Sequence, residues 1–560
     1  MLLEVCVTSI SSIKKAALAG ADRIELCSAL GVGGVTPSYG LIEEAVHLDA
    51  LPIHCLIRPR EGHFIYTSEE VEIIDQDILA AKKLGCRGVV VGALTPQFHL
   101  DIKRLERWKE LAGSMYMTFH RAFDVVQHPH QALKELIALG FDCRFGGKMF
   151  AETIIQVMYS KGVKVIFYDN ICTTPMLSLA CNEYKADIGV MVTASHNPPS
   201  YNGYKLKSTF GGPTPPSEVQ EVENMIPDSY AYSEVSLDDM KSKGFLNYQD
   251  FRTLYLDRVR MGFDLAAINN TKLTLAYNAM FGAGQCIVPD ILPKAVHFNC
   301  EWNPNFNHIA PEPIPGNLKD FSDYLKSRGD IDISFVNDGD ADRIALMDRQ
   351  GNYIDAHMII LMLIYILHKD KGMTGKVVVA FSVSPKIKKM CEAFGLPIEV
   401  TKIGFKYIAE IIQEGGVLVG GEESGGISVA GHIPERDGIW DALIVIDYLA
   451  RTGKTLEQFI EDINDVVGAF SYGRNDLKLT EEKKQAILKY CESTDIKSMA
   501  DIKVEQTETL DGFKYHLEGE RVLMIRASGT EPVLRVYCQA ESNEKVKEVL
   551  DKVCSFLQSI

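Results

Sequence analysis

The 560-residue chain has thirteen cysteines but no Cys-x-x-Cys pair. An odd number of scattered thiols without such a pair fits reduced cysteines better than a disulfide framework or a structural zinc site. Long apolar runs are missing as well. The longest, Met358–Leu367, is about half of the ~20 residues that a membrane-spanning helix needs and reads as a buried helix, so no membrane partner is expected. Met1-Leu2-Leu3-Glu4 has no basic start followed by an apolar core, which leaves no secretory signal and points to the cytoplasm. An excess of positive charge is absent: the formal net charge is −17, which argues against nucleic acid or anionic membrane as a general partner. There is no Walker A sequence, so nucleotide hydrolysis is not indicated. Oligomeric state leaves no signature.

Hydrophobic residues make up 46% and charged residues 24%, the composition of an ordinary globular protein. The length calls for several domains. Up to about residue 145, short β-branched runs at Leu2–Val7, Arg23–Leu26, Pro52–Ile57, Gly88–Val91 and Tyr116–Phe119 alternate with helical patterns, the last of them at Pro129–Leu139. Five successive βα units predict a parallel sheet with the spacing of a (β/α) barrel, three units short of closure. After Gly140-Phe-Asp142 a second α/β pattern begins, with strands expected at Lys164–Phe167, Ile188–Val192, Lys272–Ala276, Ile331–Phe335, Lys376–Val379 and Val417–Val419. Thr209–Ser217 reads as a Gly/Pro-rich loop and Pro227–Gly244 as a polar linker. The last ninety or so residues are mixed, with strands at Val522–Ile525 and Leu534–Cys538 and a closing helix at Glu544–Leu557. No short-period repeat is visible.

Four segments carry chemistry. Asp338-Gly-Asp340-Ala-Asp342-Arg343 follows an apolar strand, and carboxylates at alternate loop positions can converge on one hard divalent cation. A calcium EF-hand would need Gly and Glu where Arg343 and Arg349 stand, so that alternative fails. A solvated acidic loop is the plainer reading. Thr193-Ala-Ser195-His-Asn-Pro198 lies beyond the strand Ile188–Val192, where open α/β sheets place ligands, and its serine can carry a phosphoryl or acyl group. No Gly-x-Ser-x-Gly elbow surrounds it, which weakens acyl transfer; a simple Asn-Pro turn is the competing reading. Gly420-Gly-Glu422-Glu-Ser424-Gly-Gly426 offers close backbone approach and hydroxyl-binding side chains. Arg526-Ala-Ser528-Gly529-Thr530-Glu-Pro532, with Arg535 after it, offers guanidinium, hydroxyl and backbone N–H groups suited to a phosphate dianion. A Gly-rich turn and a polar loop are the ordinary alternatives for these last two.

In this order, from about Gly140 to the C-terminus, the four segments resemble the α-D-phosphohexomutase family. The resemblance implies that Ser195 is phosphorylated in the resting enzyme. It implies that Ser195, Asp338, Asp340 and Asp342 hold Mg²⁺, that Lys205 is a general acid or base, and that Arg343 adds charge beside the transferring group. Glu422 and Ser424 would contact sugar hydroxyls, and Arg526, Ser528, Gly529, Thr530 and Arg535 would grip the phosphate that is not transferred. The Glu-Glu-Ser form of the sugar loop resembles the glucose-phosphate branch, so interconversion of glucose 1-phosphate and glucose 6-phosphate through a bisphosphate is the expected reaction, with mannose phosphates as the alternative.

Residues 1 to about 143 resemble the CutC family of copper-homeostasis proteins. The resemblance rests on Glu4-Val-Cys6-Val, Asp22-Arg-Ile-Glu-Leu-Cys27-Ser, Gly34-Val-Thr-Pro-Ser-Tyr-Gly40, Ile57-Arg-Pro-Arg60, Gly92-Ala-Leu-Thr-Pro96 and Thr118-Phe-His-Arg-Ala-Phe-Asp124. It implies Cys6 and Cys27 as ligands for Cu⁺, a soft ion that prefers sulfur; small buried side chains are the plainer reading. The mutase family opens with a strand, a helix and a Phe-Gly-Thr-x-Gly-x-Arg loop that this chain does not contain, so the chain reads as a fusion of two shortened proteins. The expected layout is α/β up to the last domain. A partial barrel occupies 1–143, and three α/β/α domains follow at 144–268 (shortened at its start), 269–373 and 374–468. An α+β domain at 469–560 ends the chain. Copper binding, or a fusion product without activity, are the competing functional readings.

Overall fold

The computed structural model describes residues 3–96, 98–125, 136–227, 229–230, 232, 234–492, 496–527 and 533–560. The chain divides into two units, Met1–Glu135 and Leu136–Ile560.

In the first unit, β1 (Glu4–Val7), β2 (Arg23–Leu26), β3 (Ile53–Leu56), β4 (Gly88–Val91) and β5 (Tyr116–Phe119) form one sheet in sequential order. Every neighbouring pair is parallel. Sequential order with helical crossovers is the singly wound arrangement that five βα units predict. β3 and β4 are buried on both faces, which explains their continuous apolar runs. The crossover helices lay Ile13, Ile42, Ile74, Ile78 and Trp108 on the sheet as one core.

The second unit begins with a difference from the sequence reading. Of the helix expected at Pro129–Leu139, residues 129–135 lie outside the described residues, and the strand β6 (Leu136–Phe141) stands where its last turn was expected; the compact units divide between Glu135 and Leu136. Leu-Ile-Ala-Leu-Gly-Phe is almost wholly apolar, so its periodicity cannot separate a buried strand from a buried helix. The strand lies between β7 (Lys164–Ile171) and β8 (Ile188–Val192), with β9 (Tyr204–Lys207) and β10 (Leu246–Tyr248) at the edges. Two segments read as irregular contain helix: Pro216–Asn224 closes the Gly/Pro-rich loop, and Leu237–Ser242, capped by Ser236, interrupts the polar stretch.

Two more sheets repeat this plan. One is ordered β12-β11-β13-β14-β15, from β11 (Leu275–Asn278), β12 (Val296–Phe298), β13 (Ile333–Asn337), β14 (Ile344–Asp348) and β15 (Tyr353–Ile354). The other is ordered β17-β16-β18-β19, from β16 (Lys376–Ala380), β17 (Ile398–Thr401), β18 (Val417–Gly421) and β19 (Ile427–Val429). In each of the three, a first strand takes its parallel successor on one side and the next parallel strand on the other. An antiparallel hairpin then follows, β8–β9, β13–β14 or β18–β19. Strand order therefore reverses beside the hairpin strand, and loops at the carboxyl ends flanking that point form the ligand crevice of an open sheet. The three hairpin loops carry Ser195, the aspartates and Glu422.

One core joins these sheets, and the helix Ala356–Ile364 inside it is buried at every position, as its apolar run predicts. The last domain has its own core under a six-stranded antiparallel sheet, β20-β25-β24-β23-β22-β21. Its strands are β20 (Ser471–Lys478), β21 (Ser498–Met499), β22 (Ile502–Glu508), β23 (Phe513–Leu517), β24 (Arg521–Ala527) and β25 (Val533–Ala540). The closing helix Asn543–Ser559 is capped by Ser542 and buries Val546, Val549, Leu550, Val553 and Leu557 at helical spacing. Among the described residues no helix is long and apolar enough to cross a membrane.

Candidate active site

Ser195 sits one turn beyond β8 with φ at 51°, a left-handed conformation that few side chains adopt without support. The support comes from buried groups. Thr193 Oγ1 accepts the Ser195 N–H at 2.8 Å and itself donates to Asp142 Oδ2 at 2.6 Å. The Arg144 guanidinium donates to the carbonyls of Ser195 (2.6 Å), Asn197 (2.6 Å), Pro198 (2.9 Å) and Tyr201 (3.0 Å). Asp142 and Arg144 follow β6, so both sides of the switch point build this one loop.

Ser195 Oγ donates to Asp338 Oδ2 at 2.7 Å. Contact this close needs Gly339, because a Cβ there would lie 2.3 Å from the Ser195 carbonyl oxygen. Gly339→Ala is therefore expected to push the two loops apart. Activity should fall about a hundredfold, the effect of misplacing a reacting group by an ångström, while the unfolding midpoint moves little; unchanged kcat would contradict this packing.

Asp338, Asp340 and Asp342 are fully buried, and one oxygen of each lies within 4.8 Å of the others. Lys205 Nζ donates to Asp340 Oδ2 (2.7 Å) and Asp342 Oδ2 (3.2 Å), Thr174 Oγ1 to Asp340 Oδ2 (2.5 Å), and Arg436 Nη2 to Asp342 Oδ2 (2.5 Å). Three domains thus meet on these carboxylates. Burial pushes all three upward in pKa. For Asp340 the Lys205 ammonium reverses the effect, and for Asp342 the Arg436 guanidinium does, so both end below the usual carboxylate range. Asp338 stays well above it, through burial and then the charges of Asp342 and Asp340. Lys205 loses to burial but gains more from the two aspartates, so it remains an ammonium.

Oδ1 of Asp340 and Oδ1 of Asp342 are buried without any hydrogen-bond partner. Buried polar atoms are rarely left unpaired. Three oxygen donors with two lone acceptor atoms between them match a hard divalent cation such as Mg²⁺. Among the described residues this is the only such group of three.

Glu422 stands beyond β18, 6% exposed, with Arg436 Nη1 4.0 Å from its carboxylate. Burial raises it to about 7 against the pull of Arg436. Ser424 is half-buried two residues on. In the last domain Arg526 and Arg535 face each other across β24 and β25, and Arg535 Nε is buried without a partner. Like charges directly opposite each other destabilise a sheet pair, and the Asp511 carboxylate, 3.3 Å from Arg526 Nε, offsets one of them.

Models of the phosphoglucomutase/phosphomannomutase family match in domain order: the alpha/beta/alpha domains I, II and III at residues 108–233, 253–351 and 355–466, and the C-terminal domain at 478–555. The larger unit belongs to this family. A phosphoglucomutase/phosphomannomutase of Thermococcus kodakarensis is 27% identical over 471 residues, 83% of this chain and 96% of the relative. A phosphoglucosamine mutase of Methanocaldococcus jannaschii is 28% identical, covering 74% of this chain and 90% of its own. A solved structure assigned as a phosphomannomutase of Thermus thermophilus aligns with a TM-score of 0.67 at 29% identity, over 77% of this chain and 92% of that one. Residues 1–149 match the CutC family model. A CutC family protein of Pasteurella multocida is 46% identical over 140 residues, and the chain spans 57% of its length. The chain thus joins a partial CutC segment to a hexose-phosphate mutase.

Of the mutase residues expected from sequence, the structure brings Ser195, Lys205, Asp338, Asp340 and Asp342 into one hydrogen-bonded cluster. Arg343 donates its backbone N–H to Asp338 Oδ1 at 3.0 Å and sends its side chain towards Glu312, 3.7 Å away. Glu422 joins through Arg436. Arg526 pairs instead with Asp511 at 3.3 Å, and no hydrogen bond or ion pair links Arg526 or Arg535 to the Ser195 cluster among the described residues. Ser528, Gly529 and Thr530 lie outside the described residues. Sequence reasoning passed over Arg144, Thr174 and Arg436. Asp142-Cys-Arg144 after an apolar run is the same strand-end signal that marks Ser195, here overlaid on the junction between the two family resemblances.

Proposed function

We propose that the mutase unit interconverts glucose 1-phosphate and glucose 6-phosphate with Ser195 as the phosphoryl carrier. The observation that carries this reading is the 2.7 Å contact between Ser195 Oγ and Asp338 within a cluster of three buried carboxylates. A hydroxyl of the bound hexose monophosphate attacks the phosphorus held on Ser195. The bond to Ser195 Oγ breaks, and a sugar bisphosphate forms. After the sugar turns over, its other phosphate returns to Ser195. Asp338, Asp340 and Asp342 would hold Mg²⁺, which when bound neutralises charge on the transferring group. Lys205, held as an ammonium, fits the acid that protonates the departing Ser195 oxygen rather than a base. Arg343 adds positive charge beside the transfer. Glu422 and Ser424 accept and donate hydrogen bonds to the sugar hydroxyls, and Arg526, Ser528, Gly529, Thr530 and Arg535 grip the distal phosphate. The thirteen free cysteines suit a reducing, cytoplasmic setting.

A coupled assay with the 1-phosphates of glucose, mannose and glucosamine tests the substrate. The expected kcat/KM is highest for glucose; a preference for either other sugar would overturn that choice. Chelation with EDTA is expected to remove activity and added Mg²⁺ to restore it, whereas full activity in EDTA would contradict the metal reading. Glu422 accepts sugar hydroxyls through both oxygens, and most strongly, when ionised. Because burial raises its pKa to about 7, KM for sugar phosphate should fall as pH rises through about 7, and Glu422→Gln should remove that step from the pH profile. A profile identical in the variant would exclude the role.

For the first unit a copper reading rests on Cys6 Sγ in β1 and Cys27 Sγ just beyond the end of β2, 3.5 Å apart. Burial and the neighbouring thiol push Cys6 up to about 12, so Cu⁺ would have to displace its proton. Stoichiometric Cu⁺ binding lost in Cys6→Ser supports this reading; an unchanged titration removes it.

A further inference from the structure

The first unit holds a second set of functional groups that neither copper nor sugar transfer uses. It lies beyond the carboxyl ends of β3, β4 and β5, the end at which parallel βα sheets place their ligands. Arg58 follows β3 and is 4% exposed. Its Nη1 donates to the carbonyl of Gly34 at 2.9 Å and to those of Val32 and Gly33 at 3.3 Å, and its Nη2 to Gly62 at 2.7 Å. Its Nε–H is buried without a partner. His120 follows β5 and is 7% exposed. Its Nδ1 accepts the Ala122 N–H at 3.2 Å, which places the ring proton on Nε2, and that Nε2–H is also buried without a partner. Burial, and then the charge of Arg58, lowers the pKa of His120 to about 4, so the ring is a neutral donor.

Arg121, next in sequence, is exposed and makes no hydrogen bond or ion pair among the described residues. These groups converge. A Cβ on Gly33 would lie 2.6 Å from Arg121 Nη1 and 3.3 Å from Arg58 Nη1, so a glycine with φ at 86° leaves room for both guanidinium groups. The His120 ring crosses the end of β4, with Cε1 2.6 Å from where a Gly92 Cβ would stand. The Phe64 ring packs 4.7 Å from the Arg58 guanidinium carbon and 5.0 Å from the His120 ring, holding both. No carboxylate hydrogen-bonds to Arg58, His120 or Arg121 among the described residues. Two uncompensated guanidinium groups and two lone buried N–H donors amount to an unfilled requirement for an anion.

We propose that Arg58, His120 and Arg121 form an oxyanion site for the phosphate group of a phosphorylated small molecule, separate from the mutase centre. Two positive charges match a dianion, and three side-chain donors arriving from two strand ends, β3 and β5, suit a tetrahedral phosphate better than a planar carboxylate. Arg58 holds the loop after β2 in place and supplies charge, His120 supplies a directed N–H, and Arg121 closes from the solvent side.

The test is phenylglyoxal modification of the full-length chain, read at Arg121 by peptide mass spectrometry so that the mutase arginines do not enter. Inorganic phosphate, acetate and chloride are compared at equal ionic strength. Phosphate is expected to slow modification of Arg121 saturably, about tenfold once it stands about tenfold above its dissociation constant. Acetate and chloride should protect far less, and His120→Phe should lose the phosphate effect. Equal rates in the three anions would overturn the site, and equal protection by acetate would overturn the phosphate assignment. Full protection in a folded His120→Phe protein would remove His120 from it. The anion comparison in the unmodified chain stands whatever the folding of the variant.

Discussion

Ser195→Ala is expected to lower kcat for sugar-phosphate interconversion by at least about 10⁴-fold, the scale on which removal of a covalent nucleophile acts. Without Oγ no phosphoryl group can be held between turnovers, so neither half of the exchange can start. Binding should survive. The loops proposed to hold the sugar and the distal phosphate belong to other domains, and KM or a measured Kd for glucose 6-phosphate should change by less than about tenfold, since uniform binding is separate from the transition-state term. The fold should also survive, because the Ser195 loop is held by backbone carbonyls on Arg144 and by its N–H on Thr193, none of which alanine removes. A variant that kept even a tenth of wild-type kcat would show that another group carries the phosphoryl. One that lost all binding would show that the loop itself had collapsed.

Arg144→Gln should do the opposite: a large loss of stability together with activity. The guanidinium is buried, supports four carbonyl groups, and pairs with the buried carboxylate of Asp142, 3.3 Å from its Nε. Glutamine can satisfy two of those carbonyls at most and leaves Asp142 without a cation, at a cost of about 3–5 kcal/mol. The unfolding midpoint in urea should drop accordingly. The loop strain at Ser195 would be released at the same time, so kcat should fall with it. Arg144→Lys should recover charge but not the fork of donors, and so recover stability better than activity. Equal stability of Arg144→Gln and wild type would contradict the assignment of this arginine as the brace of the serine loop.

The difference between Ser195 and Arg144 also marks what the sequence made legible. Ser195, the aspartates and the Glu422 loop each sit in one contiguous segment after an apolar strand, so residue type and position together pointed to them. Arg436 does not. Its partner Asp342 is 94 residues away, and only the meeting of two domains puts them 2.5 Å apart. For Lys205 the sequence leaves acid and base open; the aspartates hold it as an ammonium, which is what supports the proposed acid role, and those contacts again cross domains. The three-fold repetition of a strand-reversal and hairpin plan was invisible as a sequence repeat, because what recurs is strand order rather than residues. The strand at Leu136–Phe141 was not legible for a local reason: it is buried between two others, and such strands lack the alternation that separates them from helices. In the first unit the five βα units were legible because each strand neighbours its predecessor.

The central claim is that Ser195 and the triple-aspartate loop form one phosphoryl-transfer centre. Incubation of the full chain with glucose 1,6-bisphosphate and Mg²⁺, followed by phosphopeptide mapping and a chase with unlabelled glucose 1-phosphate, tests it most directly. The expected result is a single phosphoryl group on Ser195 that the chase removes, and that Asp340→Asn neither gains nor loses at a comparable rate. A transferable phosphoryl group on any other residue, or labelling of Ser195 at the wild-type rate in Asp340→Asn, would contradict it.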